Sequence, residues 1–194
     1  AGRPDDINTC IACNQACLDF TFQGRPLSCL VNPRAGHETE IVIRPARDQL
    51  RLAVVGAGPA GLACATTAAE RGHDVTLYEK NEEFGGQVLL AGSVESRAEI
   101  KECIRNYEKE IRRLPVEIRL GVEVTAEMVL AEDPDEVILA TGAIPIENLS
   151  ADVVGPPSAV EVDPEANVVS AWRVLEGTAE TGQKVLIYDN QLHI

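Results

Sequence analysis

The sequence predicts an α/β fold built around one βαβ unit, and three observations carry that expectation. A short β-branched and apolar run, Arg51–Val55, leads into glycines at 56, 58 and 61, in G-x-G-x-x-G spacing. An Ala-rich stretch follows and closes at Gly72, a residue type suited to the position just past a helix end. A second alternating run, Asp74–Glu79, ends on a carboxylate that lies 18 residues after Gly61. The glycine pattern alone is weak. With a strand before it, a helix after it and an acid at this distance, it reads as a Rossmann-like dinucleotide-binding domain.

Each part of the pattern has a physical role. Gly56 allows the tight turn out of the strand, Gly58 lets a pyrophosphate approach the backbone, and Gly61 lets the helix pack close to the sheet. Pro59 stands in the first helical turn, where a missing N–H costs nothing. The helix N-terminus offers unpaired N–H groups and partial positive charge to phosphates. Glu79 is placed to accept the hydroxyls of an adenosine ribose.

Composition narrows the function classes. The 194 residues are 45% hydrophobic and 25% charged, ordinary for a globular chain and long enough for one good core, or for one domain plus an appendage. A net charge of −14 argues against nucleic acid and anionic membrane as partners, since both demand basic patches. The longest apolar stretch is the glycine fingerprint itself, so no transmembrane span is expected, nor is a signal peptide, and a cytoplasmic setting is the expectation. Ala1 opens on a polar run and Ile194 comes just after a strand-like segment. Both ends read as cuts from a longer polypeptide.

Residues 1–47 differ in character from the rest of the chain. They hold four of the six cysteines, Cys10, Cys13, Cys17 and Cys29, in C-x2-C-x3-C-x11-C spacing. Thiolates so closely spaced can wrap a small inorganic centre, an iron–sulfur cluster or zinc. Three ligands from one short loop plus a fourth further on fit a [4Fe–4S] cluster better than the paired C-x2-C of structural zinc. A disulfide framework is disfavoured, because only this end is cysteine-rich.

The stretches CIACNQACLD, SCLVNPRAGHE, VVGAGPAGLA and YEKNEEFGGQ together resemble the C-terminal half of the trimethylamine dehydrogenase and 2,4-dienoyl-CoA reductase family, which are iron–sulfur flavoproteins. The resemblance runs from about Asn8 to about Asp189. It implies that Cys10, Cys13, Cys17 and Cys29 hold the cluster. It also implies that Gly56, Gly58, Pro59, Ala60, Gly61, Glu79 and Lys80 hold FAD or ADP. In that family an N-terminal TIM barrel carries FMN and the substrate site, and two nucleotide-binding-like domains succeed the cysteine loop. No barrel is present in these residues, so its FMN domain would be the chain's partner. The implied layout is a cluster segment over 1–47, a nucleotide domain over 48–150, and a connector with the first strand of a second nucleotide-binding-like domain over 151–194.

Beyond the second strand, Phe84-Gly85-Gly86-Gln87 can cover a pyrophosphate, with Gly86 giving room and Gln87 a polar contact. Residues from about Ser96 to Leu114 predict one helix, its apolar stripe made by Ile100, Ile104, Tyr107, Ile111 and Leu114. Cys103 beside that stripe, and Cys64 in the Ala-rich helix, read as core thiols. Val116–Thr125 predicts a strand with a bulge or break at Gly121, and the family resemblance implies that Val124 lies beside an adenine. Ala126–Ala131 predicts a short helix, and Glu136–Thr141 a buried strand. The stretch EVILATGAIP resembles the second fingerprint of FAD- and NAD(P)-dependent flavoproteins, which brings Ala140, Thr141 and Gly142 to the nucleotide.

Ile146–Pro164 reads as a connector, Ser170 as the cap of a short helix with Trp172 as a packing anchor, and Lys184–Asp189 as a strand. In the reductase branch that strand opens a second glycine fingerprint for NADPH. Here Asn190–Ile194 carry no glycine, as in the amine dehydrogenase branch, where the first domain holds ADP. His37, His73 and His193 have no partner visible in sequence and read as structural. No residue of the chain reads as catalytic. The expectation is an electron-transfer portion of a flavoenzyme, with no turnover of its own. Electrons would run from NAD(P)H inward to FMN in one branch, or from FMN out to an external electron carrier in the other. Two rival readings stand beside it, a zinc-plus-nucleotide binding module and a free-standing NAD-dependent dehydrogenase. The latter lacks any readable Tyr–Lys or His acid–base arrangement.

Overall fold

In a computed structural model, which describes residue 2, residues 7–145, residue 163 and residues 165–188, four strands form one parallel sheet. They are β1 (Arg51–Val55), β2 (Asp74–Tyr78), β3 (Val116–Arg119) and β4 (Glu136–Leu139), in the order β3-β2-β1-β4. β1 pairs with β2 from Arg51↔Asp74 to Val55↔Tyr78, and with β4 from Leu52↔Glu136 to Val55↔Leu139. Connections from β1 go to one side through β2 and return to its other side at β4. The switch in direction leaves a crevice at the carboxyl ends of β1 and β4, where open α/β sheets bind ligands.

Side chains alternate across each strand and build two apolar layers. On one face Leu52, Val54, Val75 and Leu77 meet α2 (Pro59–Glu70) and α4 (Glu102–Ile111), with Leu62, Ile104 and Ile111 buried between them. On the other face Ala53 and Tyr78 meet Val129 of α5 (Ala126–Ala131), flanked by Val55 and Val124. The helix α2 is Ala-rich because it passes close over the sheet and also packs on α4.

Several elements differ from the expectation. A five-residue helix α3 (Gln87–Ala91) comes after the paired glycines, and the stretch predicted as one helix over 96–114 begins as a 3-10 turn, Glu95–Lys101, before α4. Only Ile100 and Lys101 of that turn are even half-buried, so its residues have no apolar face to align on a wider helix. β3 stops at Arg119 because its partner β2 stops at Tyr78. The chain then wraps the end of β2, with the Gly121 and Val122 N–H groups donating to the carbonyls of Asn81 and Glu79, both at 2.9 Å. Among the described residues β4 is an edge strand rather than a buried one, and Leu139 is 75% exposed.

The chain divides into two compact units, Ala1–Gly142 and Ala143–Ile194. The second contains the helix α6 (Ala171–Leu175), where Ser170 Oγ accepts the Arg173 N–H at 3.4 Å as the expected cap. Trp172 is half-buried there. Residues 185–188 do not form a strand, and Leu186 is 93% exposed. The connector assigned to 146–164 falls outside the described residues except Asp163, as do Asp189 and the segment ending in His193.

In the first unit, residues 7–47 carry the helix α1 (Leu18–Phe22) and turns. They tie to the nucleotide fold through Arg105 of α4, whose Nη2 donates to Thr9 Oγ1 at 2.9 Å. The Ala46 N–H donates to the Arg71 carbonyl at 2.8 Å. The Leu50 N–H donates to His73 Nδ1 at 3.2 Å, and His37 pairs with Glu40 at 3.0 Å, so both histidines serve structure.

Candidate functional site

The turn after β1 is shaped by two contacts that no side chain could share. Gly56 has φ +103°, and a Cβ there would come within 2.4 Å of the Ala140 carbonyl oxygen. A Cβ at Gly61 would meet the Gly56 carbonyl oxygen at 1.8 Å. The glycine turn, the start of α2 and the end of β4 are thus in mutual contact. Ala140 extends the β4 pairing by donating its N–H to the Val55 carbonyl at 2.8 Å, and brings Thr141 and Gly142 to the same place.

Gly58 behaves differently. Its φ is −74° and a Cβ on it would meet nothing within 4 Å. It is the N-cap of α2 and makes no side-chain cap, Pro59 stands in the first turn, and no acid lies there. The first N–H groups of α2, from Ala60 onward, therefore have no capping side chain, and the Cβ position of Gly58 beside them is open. Helix N-termini carry a partial positive charge of about +0.5. Open space in front of uncapped N–H groups is what a pyrophosphate needs.

The second wall comes from the paired glycines. The Gly85 N–H donates to the Ala57 carbonyl at 2.9 Å, which lays the loop over the turn, and the Cβ position of Gly86 lies 3.4 Å from Gly58 Cα. Gln87 sits beside Gly142, its Nε2 3.3 Å from where a Cβ on that glycine would be. Gly56, Gly58, Gly61, Gly86, Gln87, Ala140 and Gly142, proposed from separate stretches, are thus brought close together at the carboxyl ends of β1 and β4.

Glu79 is 6% exposed at the end of β2 and held by three donors. The Ala57 N–H reaches Oε2 at 2.8 Å, and the Asn81 N–H and Nδ2 reach Oε1 at 2.9 and 2.8 Å. A carboxylate has about four lone-pair sites, so acceptor capacity remains for a ribose hydroxyl. Ala57 and Asn81 escaped the sequence reading. The Asn two residues beyond the acid was the available signal, since Asn side chains bond locally at turns. Lys80 is exposed beyond Glu79, and Val124 packs against the Ala53–Tyr78–Val129 cluster.

The six cysteines are free thiols. Cys64 and Cys103 are half-buried against the core, and burial pushes both thiols up, away from the thiolate form. Cys10 is exposed and Cys13, Cys17 and Cys29 are half-buried, all within the turn-rich segment before β1. Ala12 and Asn14 have φ +55° and +57°, so the loop turns sharply between successive cysteines, and the Ala12 N–H donates to Cys10 Sγ at 3.4 Å. Four thiols on a tightly turned loop with an N–H···S bond fit a cluster in donor chemistry. Their sulfurs are not drawn together, for among the described residues no three His, Cys, Asp or Glu side chains converge to hold a metal ion. Among the same residues no helix is long and apolar enough to cross a membrane.

Comparison with known proteins agrees with this fold. Residues 50–176 match the family model described as pyridine nucleotide-disulphide oxidoreductase. The chain is 37% identical over 191 residues to a metal reductase of Desulforamulus reducens, covering 96% of this chain and 27% of that protein. It is 37% identical over 193 residues to an N,N-dimethylglycine/sarcosine dehydrogenase of Chromohalobacter salexigens, covering 97% of this chain and 27% of the relative. A solved 2-naphthoyl-CoA reductase, in complex with 2-naphthoyl-CoA, superimposes with a TM-score of 0.78 at 38% identity, covering 93% of this chain and 26% of its own. The chain thus spans about a quarter of the length of these relatives. Reductases and amine dehydrogenases, the two branches to which the motifs point, are both represented.

Proposed function

The chain belongs to the pyridine nucleotide-disulphide oxidoreductase family, and from that premise we propose that it is the electron-transfer portion of an iron–sulfur flavoprotein oxidoreductase. In this reading the crevice at β1 and β4 holds the ADP moiety of FAD, or ADP itself, and the cysteine loop holds a [4Fe–4S] cluster. The single observation that carries it is the open, uncapped start of α2 in front of Gly58, closed on one side by Gly86 and framed by the fixed Glu79 carboxylate.

The residues have distinct tasks. The first-turn N–H groups of α2 bind pyrophosphate, Glu79 orients the ribose, and Gly86 and Gln87 shield the phosphates from water. Cys10, Cys13, Cys17 and Cys29 would supply thiolates. When bound, a cluster carries single electrons and a flavin converts between one- and two-electron steps, which is the reason to pair them. Substrate chemistry would lie in an FMN-binding TIM barrel outside these residues, with NAD(P)H or an external carrier as the other electron partner. A cytoplasmic setting is part of the reading.

The test is to release the bound nucleotide from anaerobically purified protein and identify it by chromatography. FAD would favour the reductase branch, with electrons fed in from a pyridine nucleotide. ADP would favour the amine-oxidising branch, with electrons leaving through the cluster. Protein that carries neither, and that binds neither on addition, would overturn the proposal.

A further inference from the structure

Glu79 directly follows β2, and the residue is 6% exposed. The terminal torsion of a glutamate is broad, so a carboxylate without partners is free to turn. Here three N–H groups fix it, and they are shared unevenly between its two oxygens. Oε2 accepts one, from Ala57 in the glycine turn at 2.8 Å. Oε1 accepts two, both from Asn81, the backbone N–H at 2.9 Å and the side-chain Nδ2 at 2.8 Å.

Asn81 is itself anchored. Its carbonyl accepts the Gly121 N–H at 2.9 Å and the Glu79 carbonyl accepts the Val122 N–H at 2.9 Å, so the chain that follows β3 pins both residues. Asn81 is exposed, so the apolar core does not account for its side chain. A carboxylate only accepts, so the Asn81 atom that meets it is the amide nitrogen. The group offers about four lone-pair sites, about two on each oxygen. Oε1 is thereby filled, and the acceptor site that remains is on Oε2, the oxygen held by the glycine turn.

We propose that Asn81 is a positioning residue for nucleotide recognition. By filling Oε1 it leaves Oε2 of Glu79 as the acceptor for an adenosine ribose, so the crevice reads one of the two ribose hydroxyls and not the other. The assignment rests on the reading of this crevice as a nucleotide site, and it deepens that reading. A carboxylate with both oxygens open would pair both hydroxyls, one on each oxygen. A hydroxyl donated to a carboxylate makes a charge-assisted hydrogen bond. A site built to receive a hydroxyl also rejects the analogue that lacks it, because the polar group left behind is unpaired. Loss of the hydroxyl that Glu79 accepts therefore weakens binding, whereas loss of the other does not.

The experiment titrates the nucleotide-free protein with ADP, 2′-deoxy-ADP and 3′-deoxy-ADP by calorimetry. One deoxy nucleotide should bind roughly tenfold more weakly than ADP, or worse, and the other within about twofold of it. Asn81→Ala keeps the backbone N–H and removes Nδ2, which reopens Oε1 and lets the carboxylate turn. The ratio between the two deoxy nucleotides should then fall to under about threefold. Asn81→Asp sets an oxygen against Oε1 and should lower the ratio in the same way. A merely structural Asn81 would weaken all three nucleotides by one factor and leave the ratio unmoved, and that outcome would overturn the assignment. So would a parent protein that binds both deoxy nucleotides like ADP, or that loses both alike, a comparison that needs no variant to fold. Protein that binds no ADP overturns the nucleotide reading itself, whereas ADP binding without unequal deoxy nucleotides overturns this assignment alone.

Discussion

Gly58 and Gly61 look equivalent in the glycine pattern, yet the structure gives them opposite constraints. A methyl at Gly61 would collide with backbone, the Gly56 carbonyl oxygen at 1.8 Å, and no rotamer change can relieve that. Gly61→Ala should destabilise the fold by about 2 kcal/mol or more, the range of overpacking and backbone strain. A methyl at Gly58 finds open space, on a backbone that any residue adopts. Gly58→Ala should therefore melt like the parent protein, yet bind ADP at least tenfold more weakly, about 1.4 kcal/mol, because the methyl stands where the pyrophosphate must approach. Calorimetric titration with ADP beside a thermal melt separates the two effects. If Gly58→Ala binds ADP as well as the parent chain, this turn does not cradle phosphate. The placement of Gly56, Gly61 and Glu79 was legible because each sits at a fixed offset within one local unit. The grip of Asn81 and the Ala57 N–H on Glu79 was not, since it depends on how the chain turns after β2.

Among elements, α5 shows how a short helix is held and what it supports. Thr125 caps it, its Oγ1 accepting the Met128 N–H at 3.3 Å, and Val129 is buried against Ala53 and Tyr78. Just past its end Glu132 accepts the Tyr78 hydroxyl at 2.8 Å and pairs with Arg119. Those bonds hold the Glu132 carboxyl below its ordinary range, the Arg119 contact first. Thr125→Ala should cost about 1 kcal/mol, the usual loss for a side-chain N-cap, read as a lower urea midpoint. ADP affinity should stay within twofold, because α5 covers the sheet face away from α2; a larger loss would mean that α5 shapes the nucleotide crevice directly. α2, α5 and α6 and the first two strands were readable from sequence because caps, proline, glycine and side-chain period are local signals. The end of β3, the exposure of β4 and the absence of a ladder at Val185–Tyr188 were not. A strand's length and burial are set by its neighbours in the sheet, and a local apolar run does not by itself make one.

At the scale of the whole chain, order is uneven in a way that bears on the cysteine loop. Residues 51–142 share the two buried layers, whereas the cysteine segment contributes no buried side chain to either. Several of its large apolar side chains stay in water, with Phe22 84% and Leu30 55% exposed, beside an exposed Cys10. Exposed apolar area of this kind marks a surface built to be covered, and the relatives are about four times longer than this chain. In the proposed reading an FMN barrel supplies the cover. Anaerobically prepared protein should then contain about four iron and four acid-labile sulfide per chain. Without the cover, oxygen reaches the thiolates directly, so the brown colour should bleach on brief exposure to air, with loss of the sulfide. Colour that survives days in air would mean that the segment shelters its centre unaided, against the exposure of Cys10 and the turns around it. Stoichiometric zinc without labile sulfide would replace the cluster with a structural metal. It would leave the nucleotide crevice standing, because no residue of that crevice comes from the cysteine segment.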